Sequence, residues 1–184
     1  MYVRLGSAVL MLISSSMTSA AVILDQEVVT NPDTGYLGYI LDYPGDFLAQ
    51  TFTMRHSGML KSVGVQVSID ENANWPYSPP SDDLHLRIVR TTPAGVPIFD
   101  GILAEETIDR FSLPRSYRPG PFANVDLSNW QVNVRAGEVL AITLHSNQAY
   151  YTDPDGSNYI WYRSPRSTLP GGEFFIYVTS DLWT

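Results

Sequence analysis

Hydrophobic and polar residues alternate with a period of two along much of the chain, the pattern of strands that turn one face to a core. Val63, Val65, Val67 and Ile69 alternate with Gly64, Gln66 and Ser68, which predicts one buried face and one wetted face. The same alternation sets Leu84, Leu86 and Ile88 against His85, Arg87 and Val89, and Leu140, Ile142 and Leu144 against Ala141, Thr143 and His145. Because a shift of one residue flips a whole strand, shared parity predicts that Val63, Val65, Leu84, Leu86, Ile142 and Leu144 line one core between two sheets. Further strands are predicted at 22–29, 48–54, 102–108, 123–127, 159–163 and 173–179, about nine in all.

Turn signals separate these runs: Ser57-Gly58, Pro93-Ala94-Gly95, Arg135-Ala136-Gly137, Asp155-Gly156 and Gly171-Gly172 supply residues that accept positive φ or pre-set a turn. No window of helical length carries a 3.6-residue apolar repeat, and 105–110 is expected to form at most a short helical turn. Two long connections, 70–83 and 110–122, contain several Pro, which cannot join a ladder. Connections of that length in compact domains are often functional. The pattern predicts an all-β fold, a two-sheet antiparallel sandwich of jelly-roll type, with residues 22–184 as one domain.

Residues 1–21 read as an export signal: Arg4 gives a positive start, 5–13 an apolar stretch of about nine residues, and 14–21 a run of mostly small residues ending in Ala20 and Ala21. The apolar stretch is shorter than the roughly 20 residues a spanning helix needs, and no second one follows, so no membrane span is expected. The sequence has no Cys, hence neither a lipid-attachment thiol nor a disulfide, which fits a bacterial secreted or periplasmic protein held by its core alone.

Composition narrows the partners. With 19 acidic against 11 basic side chains, the net charge of -8 argues against nucleic acid and anionic lipid, both of which are met by surplus Lys and Arg. Charged residues make up only 16%, below the roughly 25% of ordinary soluble domains, while aromatic residues reach 12%.

The segment Ala49-Gln50-Thr51-Phe52-Thr53, then 58–63 (GMLKSV), then the alternating 65–69 strand resembles the opening of exported bacterial jelly-roll domains of the choice-of-anchor or surface-sorted type, which are compared with galactose-binding-like modules. The likeness continues through 84–88 (LHLRI), Gly95-Val96-Pro97, Ile102-Leu103-Ala104 and 134–144 (VRAGEVLAITL), and covers roughly 23–180. It implies a fold and an exported location, and it carries no catalytic residue onto this sequence. Surface-sorted members end in a short tag, an apolar helix and basic residues. This sequence ends Asp181-Leu182-Trp183-Thr184, so the expectation is a product without that anchor.

Candidate chemistry is sparse. The three His, His56, His85 and His145, lie far apart in sequence, although His85 and His145 share the non-core parity of their strands and can be neighbours across a sheet. Such a pair suits a metal; solvated sheet histidines are the plainer reading. The carboxylate pairs Asp70-Glu71, Asp82-Asp83 and Glu105-Glu106 are adjacent in sequence, and on a strand adjacent side chains point to opposite faces, which makes them poor acid/base partners. No Gly-x-Ser-x-Gly elbow occurs. Asp153-Pro154-Asp155-Gly156-Ser157-Asn158 gathers oxygen donors of the kind calcium takes, and a plain Asp-Gly turn explains the same residues.

Aromatic residues give the clearest functional lead. Trp75 and Tyr77 occupy the first long connection; Tyr150 and Tyr151 precede the Asp-Gly turn and Tyr159, Trp161 and Tyr162 follow it. Tyr and Trp faces stack against the C–H faces of sugars, and carboxylates beside them accept hydroxyl hydrogen bonds. The predicted ligand contacts are therefore Trp75, Tyr77, Tyr150, Tyr151, Asp153, Asp155 and Trp161, provided the two segments meet at one end of the fold. Strand parity places Tyr159 and Trp161 on one face and Tyr162 on the other, so at least one set is expected in the core. The sequence reads as an exported, non-catalytic binding module for an extracellular glycan or other surface polymer; the alternative is a structural or assembly protein with no small ligand.

Overall fold

The computed structural model describes residues 37–41, 47–69, 80, 82–116, 118–146, 158–163 and 174–177. Twelve strands appear among them: β1 (Leu37–Leu41), β2 (Phe47–Thr53), β3 (Gly58–Met59), β4 (Ser62–Val65), β5 (Val67–Ile69), β6 (Leu84–Thr91), β7 (Pro97–Ile108), β8 (Ala123–Asp126), β9 (Asn133–Val134), β10 (Val139–His145), β11 (Tyr159–Arg163) and β12 (Phe174–Tyr177). The strand predicted at 22–29 lies outside the described residues. The helical turn expected at 105–110 is displaced, because β7 continues to Ile108 and a single 3-10 turn follows at Arg110–Ser112. No helix among the described residues is long and apolar enough to cross a membrane.

The fold is all-β, and every ladder between named strands is antiparallel. A five-stranded sheet runs β12-β2-β10-β6-β7, a three-stranded sheet β1-β11-β5, and β3-β9 and β4-β8 form two-stranded pairs. One face of the larger sheet gives Leu48, Leu84, Leu86, Ile88, Ala104, Leu140 and Leu144 to a core that also takes Val65, Val67, Ile69, Val125, Leu127, Tyr159 and Trp161. The predicted core holds: Val65, Leu84, Leu86 and Leu144 are buried in this cluster, and Val63 and Ile142 pack against it half-buried. Each fully buried aliphatic side chain there contributes about 1.5–3 kcal/mol.

The predicted strand 63–69 is interrupted. Gln66 falls between β4 and β5, and its carbonyl accepts from the Tyr162 amide at 2.9 Å. Its partner face is not wet as expected, since Gln66 and Ser68 are both buried. The cover comes from the second long connection. The Ile69 amide donates to the Pro114 carbonyl at 2.9 Å, the Ser116 amide donates to the Ile69 carbonyl at 3.0 Å, and Gln66 Nε2 donates to the Gly120 carbonyl at 3.1 Å. Pro-rich chain thus serves as a lining for β5, with its carbonyls used as acceptors where Pro offers no donor.

Two predicted turns appear with the required backbone, Gly95 and Gly137 each at φ 83°. Gly137 also donates to the Met54 carbonyl at 2.8 Å, so the turn that enters β10 is fastened to the end of β2. Against β6, strand β7 loses register: Ile102 pairs with Val89 and Pro97 with Thr91, so Ile98, Phe99, Asp100 and Gly101 stand where β6 has Arg90 alone. This is a large bulge, and it carries the Phe99 ring to 5.1 Å from that of Phe47 on β2.

Candidate functional site

One end of the fold gathers the roots of several connections. Tyr159 pairs with Leu41 on one side and Ile69 on the other, while His145 pairs with Phe47 and His85. The Tyr159 hydroxyl donates to the Asp82 carbonyl at 2.6 Å and so joins the two groups of strands at that end. The strand ends that flank 42–46, 70–83 and 146–158 therefore lie at one end of the described fold.

Of those contacts, Trp161 is a correction. It is 3% exposed and belongs to the core, because its parity with Tyr159 turns both rings inward from β11. Tyr162, on the opposite parity, is buried as well: its hydroxyl donates to the Ser116 carbonyl and lies 2.9 Å from Ser68 Oγ. The expectation that at least one of the two aromatic sets is core holds for both. Trp75, Tyr77, Tyr150, Tyr151, Asp153 and Asp155 lie outside the described residues.

At the root of this same end, on the face of the large sheet opposite the core, the register brings His85 and His145 together. They are direct cross-strand partners, with rings stacked 5.0 Å apart. Glu105 arrives from β7, where it is paired with Arg87, and one ring nitrogen of each His and one Glu105 oxygen all lie within 4.8 Å of one another. The neighbourhood of the two histidines follows from parity and was anticipated; the part played by Glu105 was not. Glu105 and Glu106 do point to opposite faces as expected, Glu105 accepting from Arg87 at 2.9 Å and Glu106 from the Trp130 indole at 2.8 Å.

The surroundings of the cluster are partly apolar. The Phe47 ring lies 4.8 Å from His145 and the Arg87 guanidinium 5.9 Å from the Phe47 ring. His145 is 6% exposed, which corrects the solvated reading for that residue, whereas His85 and Glu105 are half-buried. Burial, then the Arg87 and His85 charges, push the His145 imidazole down to about 4, so it is neutral at pH 7. The hydrogen bond from Arg87 holds the Glu105 carboxyl below its usual value. Asp82 Oδ2 stands 3.7 Å from His85 Nε2, and Thr107 Oγ1 3.4 Å from His85 Nδ1. Among the described residues, three buried polar atoms on this one face, His145 Nδ1, Arg87 Nε and Thr143 Oγ1, have no hydrogen-bond partner. Two His nitrogens and a carboxylate are a donor set for a borderline metal ion.

Comparison with known proteins finds no match: no family model, no curated protein and no solved structure is similar to this chain. The functional reading therefore stands on geometry and chemistry.

Proposed function

We propose that the chain is an exported, non-catalytic binding module, a two-sheet sandwich of jelly-roll type that takes an extracellular glycan at the end where segments 70–83 and 146–158 meet. The observation that carries this reading is the shared root of those segments, Ile69 beside Tyr159 and His85 beside His145. Their sequences hold Trp75, Tyr77, Tyr150 and Tyr151 with Asp153 and Asp155, the stacking and hydrogen-bonding groups that saccharides need. A rigid strand scaffold leaves such segments free for recognition. Two features support the sandwich: the core is shared between one face of the five-stranded sheet and β5, β8 and β11, and the chain passes from one group to the other at 42–46, 70–83 and 146–158.

The test is a glycan array probed with the full chain, with and without added calcium, followed by Trp75→Ala and Tyr151→Ala in the best binder. The expected result is specific binding that each substitution weakens with the melting temperature unchanged. An array without signal, accompanied by concentration-dependent oligomers in sedimentation, overturns the glycan reading in favour of an assembly protein. Export is checked by mass spectrometry of secreted material: cleavage near Ala20 or Ala21 is expected, and a retained Met1 contradicts it.

A further inference from the structure

We propose that His85, Glu105 and His145 bind one divalent transition metal ion, with zinc as the reference ion. The donors come from three adjacent strands, β6, β7 and β10, so the sheet itself fixes their spacing. The inference is independent of the glycan reading, because every donor lies on a strand of the described fold and none on the connecting segments.

Donors around one zinc ion at about 2.0–2.2 Å stand roughly 3.3–3.6 Å apart in a tetrahedron. The three atoms here lie within 4.8 Å of one another, so side-chain rotations of about 1 Å, without movement of the strands, close the site. Two imidazoles and a carboxylate favour zinc, nickel or copper over calcium or magnesium, which take all-oxygen sets. Arg87 engages Glu105 through Oε1, and a carboxylate has a second oxygen to offer. Glu105 and Asp82 together outweigh the Arg87 charge, which leaves the neighbourhood net negative when both histidines are neutral.

Independent support comes from the orphaned polar atoms. His145 is more than nine-tenths buried, yet among the described residues its Nδ1 has no hydrogen-bond partner, and Arg87 Nε and Thr143 Oγ1, one cross-strand pair away, have none there either. Leaving a buried polar group unmet is costly, and three on one face mark a place built for a polar guest. Phe47 walls the site on its β2 side, while half-buried His85 and Glu105 leave a path from solvent. Three protein donors leave a fourth position for water or for an oxygen of a bound ligand.

The experiment uses the full chain, purified without a polyhistidine tag, stripped with EDTA and dialysed. Titration with zinc chloride in a calorimeter is expected to saturate at one ion per chain. In the unaltered protein, NMR of the imidazole protons is expected to show zinc shifting the His85 and His145 resonances while His56 stays in place. His85→Gln and Glu105→Gln, both at half-buried positions, are each expected to weaken binding more than about tenfold. Absence of saturable binding overturns the proposal. So does zinc that shifts only His56, or an affinity that neither substitution changes; in those cases the stacked histidines and the Arg87–Glu105 pair are packing alone.

Discussion

Leu144 is fully buried between Leu48 on β2 and Leu86 on β6, and its neighbour His145 points out of the opposite face of the same strand. Leu144→Ala is expected to cost about 2–5 kcal/mol in urea unfolding, a loss below about 0.5 kcal/mol being the mark of a surface site. His145 gives a pH signature in metal-stripped protein. Its imidazole sits at about 4 when folded against an ordinary 6.5, lowered by burial and by the Arg87 and His85 charges against a smaller upward pull from Glu105 and Asp82. On acidification the unfolded chain takes up the proton first, so the His145 contribution to stability is constant above about pH 7 and is lost as pH drops from about 6.5 to 4, by about 1.4 kcal/mol per pH unit. Urea unfolding across that range checks the slope, and His145→Gln is expected to flatten it whatever its effect at pH 7. At this scale the sequence was most legible for residues whose parity alone decides burial, such as Leu86 and Leu144. It was least so for His145, whose non-core face is covered by the Phe47 ring from β2 and the His85 ring from β6.

Strands were legible where alternation is long and unbroken, as in β6 and β10, and less so where tertiary cover changes the meaning of a polar residue. Gln66 and Ser68 look solvent-facing in isolation; both are buried, with Pro114, Ser116 and Gly120 bonded over this stretch. Nothing in the local pattern of β5 announces that cover, since it comes from about fifty residues downstream. The Tyr162 hydroxyl is part of the attachment, shared with Ser68 Oγ and the Ser116 carbonyl. Tyr162→Phe is expected to cost about 1–3 kcal/mol by leaving those buried partners short of a bond, measured by thermal or urea unfolding. Amide exchange in the same variant is expected to speed up at Ile69 and Ser116, whose amides hold the segment to β5. Unchanged exchange there means that the hydroxyl has no part in the attachment.

For the whole molecule, the decisive pairings are remote in sequence: Leu37 faces Arg163, Phe47 faces His145 and Val67 faces Trp161. Such registers cannot be read from periodicity, which fixes the face of a strand and leaves its partner open; for that reason the His85–His145 neighbourhood was legible as an option while Glu105 went unseen. Strand β11 lies between β1 and β5 and supplies Tyr159 and Trp161 to the core. A chain truncated after residue 157 is expected to lose cooperative unfolding and dispersed NMR signals altogether; a folded fragment contradicts the arrangement. The bulge in β7 bears on a different property, the tendency of sheets to grow. β7 is the last strand of the five-stranded sheet among the described residues, and a straight outer strand is a template for another chain. Four residues standing against one, with Pro97 at the strand's start and Asp100 in the bulge, spoil that template. Shortening 98–101 to a single residue is therefore expected to convert a well-behaved solution into one that scatters light and seeds fibrils, a hazard that the native irregularity keeps in check.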